Sequence, residues 1–362
     1  MAARPAGPHF HSNFVWGQRF IGMSLSVFDQ RPGIARAIPV DFHHCPPVKK
    51  PSKYADQQEL STYKKLQAQT KMSVVGAERI QELREKLDTD GYENRRLLIS
   101  VDGSYTNQTV IKALPKQVTL IGRCRKDSKF YEIPPPAHKG RGRNKYYGQL
   151  LPTPEQIRQS DEYPWQQVKA WASGSIHHFD VKVIRNIRWR KAGQRNLVLL
   201  VVRPIAYRPT RKSRLYYRQP AYLIATDPDI PVNQLLQTYL WRWEIEVGFK
   251  DKKTLIGCGQ AQIRKPEQVQ QVPAFVTACY ALLLLASQKT KNVSNYLPTT
   301  KWYTPNKRTR NTTGDIINMF RAQNWAKSTA INFSHFVDKS NKNMNFQKLT
   351  NPAMAAMFYN RN

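Results

Sequence analysis

The chain has 362 residues, enough for one large or two modest domains with a real core. Its 57 Lys and Arg against 25 Asp and Glu give a net charge of +32, which argues for a polyanionic partner, nucleic acid ahead of an anionic membrane surface. Four scattered cysteines, Cys45, Cys124, Cys258 and Cys279, form no C-x-x-C pair, so neither a zinc site nor a disulfide framework follows and a cytoplasmic, reducing location is expected.

Residues 1–13 are rich in Pro, Gly and His, lack the apolar core of a signal peptide, and are expected to be disordered. Arg19 to Phe28 reads as a strand, Asp29 to Gly33 as a turn and Ala35 to Phe42 as the returning strand of a hairpin. A basic link follows from Pro46 to Lys53. Val74, Val75, Ile80, Leu83 and Leu87 then recur at near-helical spacing. Leu97-Leu-Ile-Ser-Val is an apolar strand that ends at Asp102-Gly103. In open α/β sheets ligands gather at the carboxyl ends of strands, so Asp102 is a candidate metal ligand; a plain Asp-Gly turn is the other reading.

Between 128 and 229 the composition turns to β-rich with basic loops. His138 to Lys145 is one such loop and Arg208 to Arg214 another. Gln166 to Ala170 reads as a short helix flanked by Trp165 and Trp171. Phe179–Ile184, Asn196–Val202 and Ala221–Ala225 read as strands. Basic loops with interleaved aromatics suit backbone contact and base stacking, with Trp165 or Trp189 placed either on a base or in the core.

Gln237 to Lys253 has no Pro and only Gly248, and reads as one helix. At about 100° per residue, Tyr239, Arg242, Glu246 and Lys253 fall within a face about 60° wide. A carboxylate among cations is a poor general base but a good ligand for a hard divalent ion, and the cations and phenol suit phosphate oxygens. An ordinary Arg242–Glu246 surface pair is the alternative. Val272 to Ala286 is an apolar run of about fifteen residues, interrupted by Pro273, Thr277 and Tyr280, and reads as a buried helix, not a membrane span. Gly314 to Trp325 reads as a short amphipathic helix. Residues 327–362 are polar and Asn-rich, and no role follows from them.

The spacing Tyr239-x2-Arg242-x3-Glu246-x6-Lys253 resembles the Y-R-E-K signature of bacterial insertion-sequence transposases of the DDE type. Tyr222-Leu-Ile-Ala-Thr-Asp227 before it and Leu255-Ile-Gly-Cys-Gly-Gln-Ala-Gln262 after it look like the same family. Asp102-Gly-Ser-Tyr-Thr-Asn107, followed by Val118 to Asp127, is similar to the family segment that bears the second acid. The likeness runs from about Phe14 to about Trp325.

The resemblance implies an α/β fold, a ribonuclease-H-like mixed sheet with flanking helices interrupted by a β-rich insertion. The expected division is a core at 14–127, the insertion at 128–229, a second core part with the glutamate helix at 230–290, and a basic region at 291–362. It implies DNA strand cleavage and transfer, with Asp102 and Glu246 as catalytic carboxylates holding Mg²⁺ or Mn²⁺, and Tyr239, Arg242 and Lys253 on the DNA backbone. The implied partners are transposon ends and target DNA, with a homodimer on DNA and no membrane; the implied location is cytoplasmic, with the nucleoid. The family's first Asp has no match, since Asp29 lies in a hairpin turn and Asp41 beside His43 and His44. The chain is therefore expected to start downstream of that acid and to be impaired. A non-catalytic DNA-binding remnant or regulator, and a nuclease on a similar fold, stay open.

Overall fold

The computed structural model describes residues 2–3, 14–15, 17–28, 34–135, 145–208, 210, 213–289 and 310–328. In chain order, β1 (Ala2–Ala3) pairs with β2 (Phe14–Val15), and β3 (Phe20–Phe28) with β4 (Ala35–His44) in a two-stranded sheet. Helices α1 (Gln57–Gln69) and α2 (Met72–Thr89) lead to β5 (Leu97–Ser100), α3 (Gln108–Lys112), β6 (Val118–Arg123) and β7 (Phe130–Glu132). Then come α4 (Pro154–Gln159), β8 (Gln166–Ala172), β9 (Ser175–Trp189), β10 (Leu197–Val202), β11 (Ala206–Tyr207), β12 (Tyr216–Tyr217) and β13 (Ala221–Ala225). The last four elements are α5 (Val232–Trp241), α6 (Trp243–Thr254), α7 (Pro266–Lys289) and α8 (Thr313–Ser328).

The chain divides into two units, Met1–Ile21 with His44–Trp243, and Gly22–His43 with Glu244–Asn362. The first is α/β. Its seven-stranded sheet runs β5-β6-β13-β10-β9-β7, with β8 also on β9. β5 and β6 are parallel; the other pairs are antiparallel, so the sheet is mixed. β10 reads Leu-Val-Leu-Leu-Val-Val and is buried at every position, the pattern of a strand covered on both faces. Leu235 and Leu236 of α5 join Ile121, Val198, Leu200, Leu223 and Ala225 in one core, and α5 lies along β5, β6 and β8.

Within 128–229, β13 pairs with β6 and β10 with β13, so these strands continue the sheet that β5 begins, while β11 and β12 pair in a two-stranded sheet apart from it. One expectation changes here. Residues 166–170 are strand, not helix. Val168 and Ala170 turn inward at period two, and the Ser173-Gly174 turn, with φ of 51° and 90°, closes a tight hairpin into β9. The basic loop 138–145 lies outside the described residues except for Lys145, and so do the hairpin turn at 29–33, residues 329–362 and most of 1–13.

The second unit holds the main part of the β3–β4 hairpin with α6, α7 and α8. Ile38, Tyr280, Leu284 and Ile316 form its core, with Val27, Ile256, Ala281 and Leu283 packed on it. Thr312 caps α8: its hydroxyl accepts from the Asp315 N–H at 3.1 Å, and the Asp315 carboxylate accepts from the Thr312 N–H at 2.8 Å. Helix α7 is not the buried helix expected. Only Thr277, Tyr280 and Leu284 are buried, while Phe275 is 70% and Leu282 65% exposed. Among the described residues it is the one helix with the length and apolarity of a membrane span.

Candidate functional site

Asp102 stands two residues beyond β5. The Val101 N–H still donates to the Ile121 carbonyl at 2.9 Å, so parallel pairing with β6 carries on to the residue before it. Asp102 then caps a single 3-10 turn, Gly103–Tyr105, and its Oδ1 accepts the Gly103 N–H at 2.7 Å. The carboxylate is exposed at the carboxyl end of its strand, the position at which α/β sheets bind ligands.

Two glycines in other elements fix this turn. A Cβ on Gly76 of α2 would lie 2.7 Å from the Tyr105 ring, and one on Gly122 of β6 would lie 2.2 Å from Thr106 Oγ1 and 2.8 Å from Val101. The bare backbone at both positions lets Tyr105 and Thr106 seat on α2 and β6, which pins the segment that carries Asp102. Gly103 itself is sterically unremarkable, since a Cβ there would meet Arg123 at an ordinary 3.8 Å. Sequence reasoning weighed Gly103 and missed the other two, because the demand for glycine comes from residues 16 to 29 positions away.

Tyr239 lies on α5 with its ring partly buried against the sheet core. Burial raises its phenol pKa, with a smaller push from Asp102, while Arg242 and Arg123 pull the other way. Tyr239 thus keeps its proton, and Asp102, Arg123 and Arg242 all lie within electrostatic reach of it. The Arg242 guanidinium sits over the Tyr239 ring, 5.8 Å from its centre. The first unit therefore gathers three of the expected residues, Asp102, Tyr239 and Arg242, and adds Arg123, which no motif marked.

The single helix expected from Gln237 to Lys253 is two. α5 ends at Trp241, Arg242 turns, and its N–H donates to the Tyr239 carbonyl at 3.2 Å in place of an i−4 partner. α6 begins at Trp243. No glycine or proline announces the break. Glu246 and Lys253 are on α6 in the second unit, on one face two turns, or about 10 Å, apart. Glu246 is half-buried and Lys253 exposed. Around them Glu244 pairs with Arg310 at 2.6 Å and Asp251 accepts from the Thr313 hydroxyl at 2.6 Å. Lys252, not Lys253, is the buried lysine of this helix.

The two tryptophans separate. Trp189 is only 5% exposed and packs on Phe130 at 5.6 Å between ring centres, so it is a core residue. Trp165 is half-buried with Lys182 Nζ over its ring at 4.5 Å and Arg203 at 5.7 Å. The four cysteines are free thiols.

For a hard divalent ion, Asp102 offers a carboxylate with one oxygen turned to a backbone N–H and the group open to solvent. Among the described residues no three His, Cys, Asp or Glu side chains gather as a ready-made cage. The donor set at Asp102 suits Mg²⁺, which keeps several waters and takes one or two carboxylates together with substrate phosphate oxygens. Compared with family models and with characterised proteins, the sequence matches none. The resemblance to transposases therefore rests on the residues quoted for it.

Proposed function

We propose that the chain acts on DNA as a metal-dependent strand-cleaving and strand-transferring protein of the transposase type, on a ribonuclease-H-like core. The observation that carries the reading is the placement of Asp102 at the end of β5, in a parallel β5–α3–β6 unit, within electrostatic reach of Tyr239. Beside it Arg123 and Arg242 supply cations for a phosphate. The net charge of +32 supports the same class of partner.

When bound, Mg²⁺ or Mn²⁺ supplies an activated water and offsets charge on the phosphate. Asp102 is the metal-binding carboxylate of the first unit and Glu246 that of the second. Arg242 and Arg123 orient the phosphodiester. Tyr239, held protonated, donates to a phosphate oxygen. Lys253, exposed on α6, meets the DNA backbone.

The test is nicking of plasmid and element-end duplex DNA in Mg²⁺ or Mn²⁺. Asp102→Ala and Glu246→Ala are each expected to lower the metal-dependent rate by more than about a hundredfold. DNA affinity in the absence of metal should stay within about twofold, because neither acid contributes positive charge. Metal-dependent cutting that survives both substitutions would sink the assignment. Tight binding with no cutting by the unaltered chain would instead support a DNA-binding regulator.

A further inference from the structure

The first unit carries a cleft that the signature residues do not include. It has a volume of about 440 Å³, and Arg123, Lys126, Glu155, Arg158, Gln219 and Tyr222 supply its polar lining. Pockets of about 300–1,000 Å³ commonly hold ligands of nucleotide size. Glu155 is the one acid in this lining, and it is already engaged. Arg158 grips it with two hydrogen bonds, at 3.0 and 2.7 Å, and the Tyr222 hydroxyl donates to it. These partners, Arg158 first, hold the Glu155 carboxyl down to about 2, while burial and the hydrogen bond to Glu155 push the Tyr222 phenol up to about 12 against the pull of Arg158. Arg158 and Glu155 thus cancel, and the charge left over belongs to Arg123 and Lys126. Among the described residues neither forms an ion pair with a carboxylate; Arg123 reaches only the Pro220 carbonyl, at 3.4 Å.

The walls of the cleft continue into an aromatic hairpin. Pro204 and Gln219 line it, and between them in sequence the chain runs out through β11 and back through β12. Tyr207 and Tyr216 lie with ring centres 5.9 Å apart. Arg218 covers Tyr207 at 5.1 Å and Arg214 covers Tyr216 at 4.7 Å. Tyr217 is 66% exposed. A positive groove next to exposed aromatic rings is the combination that holds unpaired nucleic acid, with phosphate in the groove and bases on the rings.

We infer that this cleft is a phosphodiester site for a single-stranded stretch of nucleic acid, held by Lys126 and Arg123, with the strand continuing over the β11–β12 tyrosines. Arg123 also lies against Gly103, the residue after Asp102, and acts with Asp102 on Tyr239, so the strand in the cleft runs on toward the proposed metal-binding carboxylate. The identity of the ligand as nucleic acid rests on the function proposed above; its phosphate chemistry rests on the cleft alone.

The experiment measures fluorescence anisotropy of a fluorescein-labelled dT12 strand with the full chain, with calorimetric titration of inorganic pyrophosphate alongside. Lys126→Glu is expected to weaken dT12 binding about tenfold or more and to lower the salt slope by about one, whereas Lys169→Glu, an exposed lysine on β8, shifts it less than about twofold. Lys126→Gln, which removes the charge and stays polar, is expected to weaken it about fivefold and guards against misfolding of the charge-reversed variant. If Lys126→Glu and Lys169→Glu weaken dT12 equally, or Lys126→Glu binds like the unaltered chain, the cleft is overturned while DNA binding itself stands. If the unaltered chain ignores DNA but takes up pyrophosphate in a Lys126-dependent way, the cleft stands and the transposase reading falls. If it binds neither, both fall.

Discussion

Lys252 is 5% exposed, and its ammonium lies 4.6 Å from the centre of the Phe42 ring and 4.7 Å from that of Phe249. Two ring faces attract a cation but do not replace its lost water, so burial brings the lysine down to about 8, with Lys253 adding to the shift and Cys258 opposing it. Because the folded pKa lies below the unfolded value of 10.5, the folded chain binds fewer protons between those limits. Stability linked to this group is therefore fully present above pH 10.5 and is lost as pH falls through 8. The difference is on the order of 2 kcal/mol after allowing for partial solvent screening. Urea titrations from pH 8 to 10.5 should show the unaltered chain gaining stability relative to Lys252→Met; parallel curves would refute the caged lysine. Gly122 makes a second residue-level test. A methyl there meets Thr106 Oγ1 at 2.2 Å, so Gly122→Ala should destabilise the first unit by about 1–3 kcal/mol and displace the Asp102 turn. Metal-dependent nicking would then drop more than duplex DNA binding, and an equal loss of both would argue against a positioning role.

At the scale of elements, α4 is instructive because six residues do not hold a helix unaided. Its start is a full capping box: Thr153 Oγ1 accepts from the Gln156 N–H at 3.3 Å, and Gln156 Oε1 accepts from the Thr153 N–H at 2.8 Å, with Pro154 in the first position. Its end is closed from another strand. Lys182 of β9, 1% exposed, donates to the carbonyls of Ile157, Arg158 and Ser160 at 3.0, 3.2 and 2.6 Å. Thr153→Ala should cost about 1 kcal/mol. Lys182→Met, which strands three carbonyls, should cost about 3 kcal/mol in urea unfolding; a smaller loss than at Thr153 would mean that water closes the helix instead. The capping box could be read from Thr153-Pro-Glu-Gln156, but Lys182 could not, because nothing local distinguishes it from a solvated strand lysine. The same contrast runs through the site. β10 and β13 were legible as apolar runs, and Asp102 as a strand-end acid. β8 was misread because five residues cannot separate period two from period 3.6, although Ser173-Gly174 carried the hairpin signal. The break at Arg242 left no mark in composition, so the face drawn across Tyr239, Arg242, Glu246 and Lys253 was continuous in sequence and is divided between two helices in the structure.

For the whole molecule, the charge of +32 and the exposed side of α7 point to different polyanions, and they can be separated by salt and by substitution. Nucleic acid binding releases condensed counterions. A chain that covers six to ten phosphates should lose about 10³ to 10⁵ in DNA affinity between 50 and 200 mM salt. An anionic membrane would also answer to salt, but insertion of Phe275 and Leu282 would add an apolar contribution that salt does not screen. Phe275→Ser with Leu282→Ser removes that contribution from α7 without touching a cation. Neither residue belongs to the buried set of Thr277, Tyr280 and Leu284 that ties α7 to its own unit, so the unit should keep its fold. DNA binding by the double variant is expected to match the unaltered chain at every salt concentration, with the same slope. Co-sedimentation with vesicles containing phosphatidylserine should stay negligible for both proteins in 200 mM salt. Retention of the unaltered chain on those vesicles, lost in the double variant, would move the positive surface from DNA to lipid. A DNA affinity that barely changed with salt would leave the net charge without the partner it implies.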